Sequence, residues 1–218
     1  MKKKFKDNEP TSSLLHFIAA LLSIAGLVLL IIFAALKATA WHVIGFSIFG
    51  ATLILLYFAS TIYHFASKSK KAKKVLEKID HAMIYVLIAG TYTPICLTAL
   101  RGPLGWSILG VIWGLAALGI VFSTLGGLNK IIETIIYVVM GWIIVFAMFP
   151  LLETIQLGGF AWLLLGGVFY TIGAVVYAID NKFPTKSRWF TLHELFHLLV
   201  MAGSFSHFWV MLHYVMII

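Results

Sequence analysis

Seven stretches of mainly apolar residues divide the chain, and each is long enough to cross a lipid bilayer as a helix, which takes about 20 residues. They cover residues 13–36, 41–66, 80–100, 104–125, 130–151, 158–180 and 190–217. Hydrocarbon offers no water to bond the backbone, so runs of this length are typical of helices, which close their own hydrogen bonds. The pattern predicts an all-α integral membrane fold: a basic N-terminal segment, residues 1–12, followed by a domain of seven transmembrane helices, residues 13–218.

The composition agrees with a membrane protein and excludes an ordinary soluble domain. Of the 218 residues, 61% are hydrophobic and 11% are charged, against about 45–50% and about 25% in soluble domains. The net charge of +8 does not indicate a nucleic-acid partner, because the basic residues lie in short runs between apolar spans. At these positions they contact anionic lipid headgroups. Cys96 is the only cysteine, which excludes an internal disulfide and a thiolate metal cluster.

The distribution of lysine and arginine predicts the orientation of the chain in the membrane. With the N-terminus inside, 14 of the 16 basic residues fall in cytoplasmic segments, and only Lys37 and Arg101 fall outside. Cytoplasmic loops carry an excess of these residues. The prediction is therefore a cytoplasmic N-terminus and an external C-terminus, which an odd number of spans also requires. The cellular location expected is the cell membrane.

Ionisable residues inside a membrane span are costly and indicate function, and six such residues are singled out here. They are His64, Asp80, His193, Glu194, His197 and His207. The predicted topology places all but His207 at one depth near the cytoplasm, although they belong to spans two, three and seven. His207 follows His197 by ten residues, about 15 Å along a helix, and is expected to form a hydrogen bond within the bundle rather than to share a metal.

The spacing of the histidines indicates a metal site. His193 and His197 are four residues apart, so both imidazoles lie on one helix face and can hold one ion. His64 would be the third ligand, and Ser60 lies one turn away on its helix face. Three neutral imidazoles with an open fourth position are typical of catalytic zinc, one ion whose bound water ionises near pH 7. Asp80 would be a hydrogen-bond acceptor for that water, or its general base.

Each of these residues also has a simpler interpretation. Asp80 could cap the helix that follows it, Ser60 could bond its own helix backbone, and Glu194 could interact favourably with the dipole of the last helix. Four further histidines lie at span edges, where an exposed or headgroup-bonded histidine is expected: His16, His42, His81 and His213.

The segment His193-Glu194-Leu195-Phe196-His197 also matches HExxH, the signature of zinc proteases in which the glutamate is the general base. An intramembrane protease is thus one alternative. Such enzymes commonly take a third ligand, often an acid, from a later element. Residues 198–218 contain no Asp or Glu, which disfavours this alternative.

The wider pattern resembles the progestin and adipoQ receptor (PAQR) family. The resemblance rests on Ser60-x-x-x-His64 ending span two, Asp80 opening span three, and His193-x-x-x-His197 in span seven. The short chain, the segment Ala89-Gly90-Thr91-Tyr92-Thr93-Pro94 and the stretch from His197 to His207 resemble its bacterial branch, the hemolysin III family.

That resemblance implies zinc held by His64, His193 and His197, with Asp80 bonded to a zinc-bound water and Ser60 beside the site. It implies residence in a bacterial plasma membrane. Alkaline ceramidases in the wider superfamily suggest hydrolysis of lipid amides, with membrane lipid as substrate. Two alternatives remain: a non-enzymatic homeostasis or receptor-like protein with structural zinc, and a cytolysin. The sequence leaves the substrate and the oligomeric state open.

Overall fold

The computed structural model describes residues 9–65, 69–125, 129–180 and 190–218, and these residues are almost entirely helical. The segments are α1 (Pro10–Lys37), α2 (Ala40–Phe65), α3 (Lys70–Leu97), α4 (Pro103–Leu125), α5 (Lys130–Trp142), a 3-10 turn (Ile143–Ala147), α6 (Met148–Ile179), α7 (Leu192–Val210) and a π-helical turn (Met211–Val215). No strand occurs within the described ranges, so the all-α prediction is confirmed. Most of the basic N-terminal segment, residues 1–8, lies outside the described residues.

The third helix begins ten residues before the predicted span. Ser69 is its N-cap, and the serine hydroxyl accepts a hydrogen bond from the backbone N–H of Ala72 at 3.3 Å. Such a cap satisfies one of the free N–H groups at a helix start. Asp80 consequently lies inside α3 and does not cap it. The simpler interpretation of Asp80 as an N-cap is therefore wrong.

The chain reverses direction between the fifth and sixth predicted spans. The predicted break at residues 153–157 coincides with Gln156, whose backbone is left-handed (φ 60°, ψ 165°). Trp142 Nε1 donates a hydrogen bond to Thr171 Oγ1 at 3.0 Å. The chain therefore turns back between these two residues, and the end of α5 lies against the second part of α6.

The outer surface of the helices is apolar. Phe146, Leu125 and Leu157 are each more than 70% exposed, which in water would be unfavourable but in lipid is not. Five helical segments within the described ranges are long and apolar enough to cross a membrane, and one of them, Lys130–Ile179, has 50 residues. α3 is more polar than these because its first turns are rich in lysine and Asp80 and His81 follow. The count of seven spans and the orientation stay predictions.

Small residues allow the helices that carry polar groups to approach closely. A Cβ atom added at Gly45 of α2 would lie 2.7 Å from Cα of Pro94 in α3. One at Gly50 would lie 2.5 Å from the side chain of Leu27 in α1. Contacts this short leave no room for a larger residue, so α2 is held tightly between α1 and α3. The C-terminal end of α2, where His64 lies, is positioned by both neighbours.

Candidate metal site

Three histidines from two helices meet at one end of the bundle. His64 lies in the last turn of α2, and His193 and His197 lie in the first turns of α7. The ring centroids are 5.1 Å apart for His64 and His193, 4.8 Å for His64 and His197, and 4.6 Å for His193 and His197. One ring nitrogen from each residue lies within 4.8 Å of the others. The structure thus brings together the three histidines predicted from sequence.

The ring of His64 is oriented by a carboxylate. Its Nδ1 atom lies 2.6 Å from Oε2 of Glu9, the residue that precedes α1. This hydrogen bond lowers the pKa of Glu9 to about 2, so Glu9 is ionised near neutral pH and can only accept. Nδ1 of His64 is therefore the donor, and Nε2 is the nitrogen that carries a free lone pair.

The ring of His197 is oriented by another histidine. Its Nδ1 atom lies 2.7 Å from Nε2 of His16 in α1, and both rings are almost completely buried. Nε2 of His197 has no hydrogen-bond partner among the described residues. The two imidazoles must share one proton across their short contact, since two lone pairs or two N–H groups would repel.

In the third ring, His193, Nδ1 also faces a partner, but at a longer distance than in the other two rings. Its Nδ1 atom lies 4.0 Å from Oδ2 of Asp180. Its Nε2 atom is buried, lies 3.8 Å from Oε2 of Glu9, and has no hydrogen bond within the described ranges. In all three rings Nδ1 faces a partner. Nε2 is therefore the nitrogen that is available to bind a metal ion between the three histidines.

This arrangement fits a bound divalent cation. A buried nitrogen without a hydrogen-bond partner costs about 1–3 kcal/mol, and two of them, on His193 and His197, lie side by side here. A metal ion would satisfy both lone pairs. Zinc–nitrogen bonds of about 2.0–2.1 Å require ligand atoms about 4 Å apart or closer. The candidate ligand atoms lie within 4.8 Å of one another, so the rings would have to move slightly closer together to bind zinc. The three histidines could therefore hold a metal ion.

Ser60 and Asp80 lie beside the histidines and line the same cavity. Ser60 is buried in α2, one turn from His64. Its hydroxyl is within hydrogen-bonding reach of the Asp80 carboxyl group. A carboxylate and a hydroxyl thus lie next to the imidazoles without belonging to the three-histidine group.

Glu194 is turned away from the three-histidine group. Its Oε2 atom accepts hydrogen bonds from the backbone N–H of Thr191 at 2.8 Å and from the Thr191 hydroxyl. Its Oε1 atom accepts from the hydroxyl of Ser12 in α1 at 2.9 Å. Thr191 and Glu194 form a capping box at the start of α7. Both oxygens of the glutamate in the HExxH match are engaged, which does not favour the role of general base in a protease.

For the remaining histidines, position along the predicted span did not always predict whether the side chain is buried. His207 donates from Nε2 to the carbonyl oxygen of Leu163 at 3.2 Å, which confirms the expected bundle hydrogen bond. His16 and His42 are each only 3% exposed, so the expectation that they are exposed or headgroup-bonded is wrong. His81 is partly buried and pairs with Glu133 at 3.2 Å. Only His213 among these four is exposed.

Sequence reasoning missed Glu9 and His16, which contact two of the three candidate ligands. A signal for them was present. Glu9, Ser12, Ser13 and His16 are spaced as i, i+3, i+4 and i+7, which places polar residues on one face of α1. That face also contains Ala19 and Ala20 and is the buried one. A polar stripe on the buried side of a membrane helix indicates a polar partner inside the bundle.

The histidines form one end of an elongated cavity of about 200 Å³. On α7 the cavity extends from His193 to His207, fourteen residues or about 21 Å along the helix axis. Beyond the polar end its walls are largely aliphatic and aromatic, including Leu56, Ile88 and Leu163. The cavity is therefore long and mainly apolar, with its carboxylates and most of its histidines at the end where the three candidate ligands lie.

Comparisons with known proteins identify a family and several relatives of this chain. The model of the family described as Haemolysin-III related matches residues 5–208. The chain is 43% identical over 207 residues to "Hemolysin-3 homolog" of Bacillus subtilis (strain 168), covering 94% of this chain and 93% of that protein. It is 40% identical over 215 residues to "Hemolysin-3" of Bacillus cereus, covering 98% and 94%.

A more distant relative is human. "Monocyte to macrophage differentiation factor" of Homo sapiens is 28% identical over 178 residues, covering 79% of this chain and 68% of that protein. The molecule is a helical membrane protein with a polar cluster inside the bundle. It belongs to the haemolysin-III related family, and the resemblance drawn from its motifs is confirmed.

Proposed function

We propose that this chain is a seven-pass membrane protein, with a cytoplasmic N-terminus, that uses one zinc ion to hydrolyse amide bonds in membrane lipids. The observation that supports it best is the pair of buried, unpartnered Nε2 atoms on His193 and His197, adjacent to His64, at the polar end of an apolar cavity. Bound zinc would act as a Lewis acid on the substrate carbonyl and would favour ionisation of water.

The cavity supports a lipid substrate. An acyl chain is long and apolar, as the cavity mainly is, and would lie along the walls formed by Leu56, Ile88 and Leu163. Its polar linkage would then lie at the histidine end. Burial of the chain excludes water and holds the scissile carbonyl beside the catalytic groups, which lowers the entropic part of the barrier.

Asp80 would transfer the proton during hydrolysis, and Ser60 would orient Asp80. In amide hydrolysis the water oxygen bonds to the carbonyl carbon, the C–N bond breaks, and the amine leaves with an added proton. Asp80 would accept the proton of the attacking water and return it to the leaving nitrogen. The Ser60 hydroxyl, within reach of the Asp80 carboxyl group, would orient that carboxylate.

Release of fatty acid from a ceramide tests this proposal. Purified protein in lipid nanodiscs should release labelled acyl chain, lose this activity in a strong chelator, and regain it when zinc is restored. Asp80→Asn should reduce the rate, whereas Glu153→Gln, an exposed carboxylate outside the site, should not. Release that persists in chelator, or is unaffected by Asp80→Asn, would refute the zinc hydrolase.

A second candidate is a protein in which the metal only joins α2 to α7 without a reaction. It is favoured by the fact that His64 and His197 come from different helices and are each fixed by a partner. Here the chelator would lower the unfolding temperature, while no tested lipid amide would be cleaved.

Cytolysis is a third candidate, favoured by the names of the two Bacillus relatives. The outer surface is apolar around the described helices, which suits a resident of the bilayer more than a secreted pore former. Release of dye from intact vesicles by added protein would support cytolysis, and intact vesicles would oppose it.

A further inference from the structure

The first turns of α1 make contacts to both helices that carry the candidate ligands. The residues are Glu9, Ser12, Ser13 and His16, and their spacing places them on one face of α1. We call this set the positioning face. Two of its members touch ligand side chains, and the other two join α1 to the helices that present them.

Ser12 and Ser13 connect α1 to α7 and α2 by hydrogen bonds. Ser13 donates to the backbone carbonyl of Thr61 in α2 at 3.1 Å, and Ser12 donates to Glu194 in α7 at 2.9 Å. The backbone N–H of Glu9 donates to the carbonyl oxygen of His64 at 3.2 Å. α1 is therefore bonded to the ligand-bearing turn of α2 and to the capped first turn of α7 at once.

Glu9 and His16 act on the ligand rings. Glu9 accepts from Nδ1 of His64 at 2.6 Å, and His16 shares a proton with Nδ1 of His197 at 2.7 Å. When Nδ1 of a neutral imidazole carries the proton, Nε2 must present its lone pair. A carboxylate acceptor at Glu9 thus selects the His64 tautomer that can bind a cation through Nε2. His16 selects the same tautomer of His197 when Nε2 of His16 is the acceptor and its own proton lies on Nδ1.

We propose that the positioning face of α1 is the outer layer of the metal site, in which Glu9 and His16 fix the tautomers and orientations of His64 and His197. This rests on the metal centre of the proposed function, but it concerns residues that bind no metal themselves. Outer partners of ligating histidines typically change metal affinity about 10- to 100-fold when they are removed.

A direct ligand role for Glu9 is the competing arrangement. The contact of Glu9 with Nδ1 of His64 occupies the side of the ring opposite the free Nε2 atom. Its Oε2 atom is 3.8 Å from Nε2 of His193, too far for a hydrogen bond, whereas it lies 2.6 Å from Nδ1 of His64. Glu9 is placed to orient the ring rather than to complete the coordination.

Cobalt binding to the purified full-length protein tests the role of His16. Co²⁺ reports its coordination through visible absorption, and competition with a chelator gives its affinity. His16→Leu should bind Co²⁺ about 10- to 100-fold more weakly. His16→Gln retains an amide oxygen that can accept from His197 and should recover part of that loss. His213→Gln, at an exposed position, should match wild type.

Glu9 is tested in the same assay. Glu9→Gln keeps an oxygen acceptor for Nδ1 of His64 and should retain both the wild-type spectrum and most of the affinity, whereas Glu9→Ala should lose about 10-fold or more. Glu153→Gln is the matched control. A spectrum that changes coordination type in Glu9→Gln would show Glu9 to be a ligand and would overturn the inference.

Other outcomes are equally decisive. Wild-type affinity in His16→Leu and Glu9→Ala, equal losses in His16→Leu and His16→Gln, or absence of Co²⁺ binding by wild type would each refute the positioning role. Because the assay measures no turnover, the predicted ranking can hold even where no lipid amide is hydrolysed. Failure of the proposed hydrolase and failure of this inference are therefore distinguishable.

Discussion

Ser12 and Glu194 form a hydrogen bond of 2.9 Å although 182 positions separate them in the chain. The same glutamate caps α7 through Thr191. The carboxylate therefore has a structural task at the junction of the first and last helices. These contacts indicate a structural role for the glutamate of the HExxH match. The general base of a protease would have to face the attacking water rather than Ser12 and Thr191.

Replacement of Glu194 should affect stability more than chemistry. Glu194→Ala removes the cap of α7 and the bond to Ser12, and loss of a capping interaction costs about 0.5–2 kcal/mol. Thermal unfolding in detergent should show a lower midpoint, while the metal content stays at the wild-type value. Thr191→Ala, which removes the other half of the capping box, should show a similar loss. An unchanged midpoint together with abolished lipid hydrolysis would instead support the protease-type role.

The metal content of the purified protein should depend on the three-histidine group. His197→Ala removes one of three ligands, so the ratio of zinc to protein should fall from about one to near zero, because tetrahedral sites of this kind need three protein ligands. Elemental analysis measures the ratio. His213→Ala should keep the wild-type value, since that side chain is exposed and outside the site. Equal zinc in both variants would contradict the site.

Asp80 should be needed for turnover but not for metal binding. Removal of a positioned general base lowers rates by about 10²- to 10⁴-fold, so Asp80→Asn should reduce kcat for a ceramide substrate by this order. Elemental analysis of the same preparation should show wild-type zinc. Ser60→Ala should have a smaller effect, since the serine acts through Asp80. Loss of zinc in Asp80→Asn would show that the carboxylate holds the metal instead.

The junction of α3 and α4 should be sensitive to one added methyl group. A Cβ atom at Gly105 would lie 2.3 Å from the carbonyl oxygen of Leu100 and 2.5 Å from that of Cys96. Because these are backbone atoms, Gly105→Ala should cost about 1–3 kcal/mol and lower the unfolding midpoint.

Gly110→Ala is the matched control for this change. Among the residues that the structure describes, none places an atom within 4 Å of a Cβ atom added at Gly110 in the same helix, apart from that helix's own backbone. Alanine is a better helix former than glycine by about 1 kcal/mol, so this variant should be at least as stable as wild type. Equal destabilisation of the two variants would show that general helix effects, rather than the contact with Leu100, decide the outcome.

Local sequence patterns were enough to predict most helices and the three candidate ligands. The apolar runs predicted 41–66 and 104–125, and the structure has Ala40–Phe65 and Pro103–Leu125. Helix formation in these runs depends on apolar length and on backbone hydrogen bonds between residues four apart, both of which are local. His193 and His197 shared a face for the same reason, and His64 followed from the predicted topology.

Only the tertiary structure decided what surrounds those ligands. The partners of His64 and His197 are Glu9 and His16, 55 and 181 positions away along the chain. Side-chain periodicity gave α1 a polar face but could not say which helix would cover it. That depends on how α1 packs between α2 and α7, which follows from close contacts such as Gly50 against Leu27. Position at a span edge made His16 look exposed, whereas packing buries it against His197.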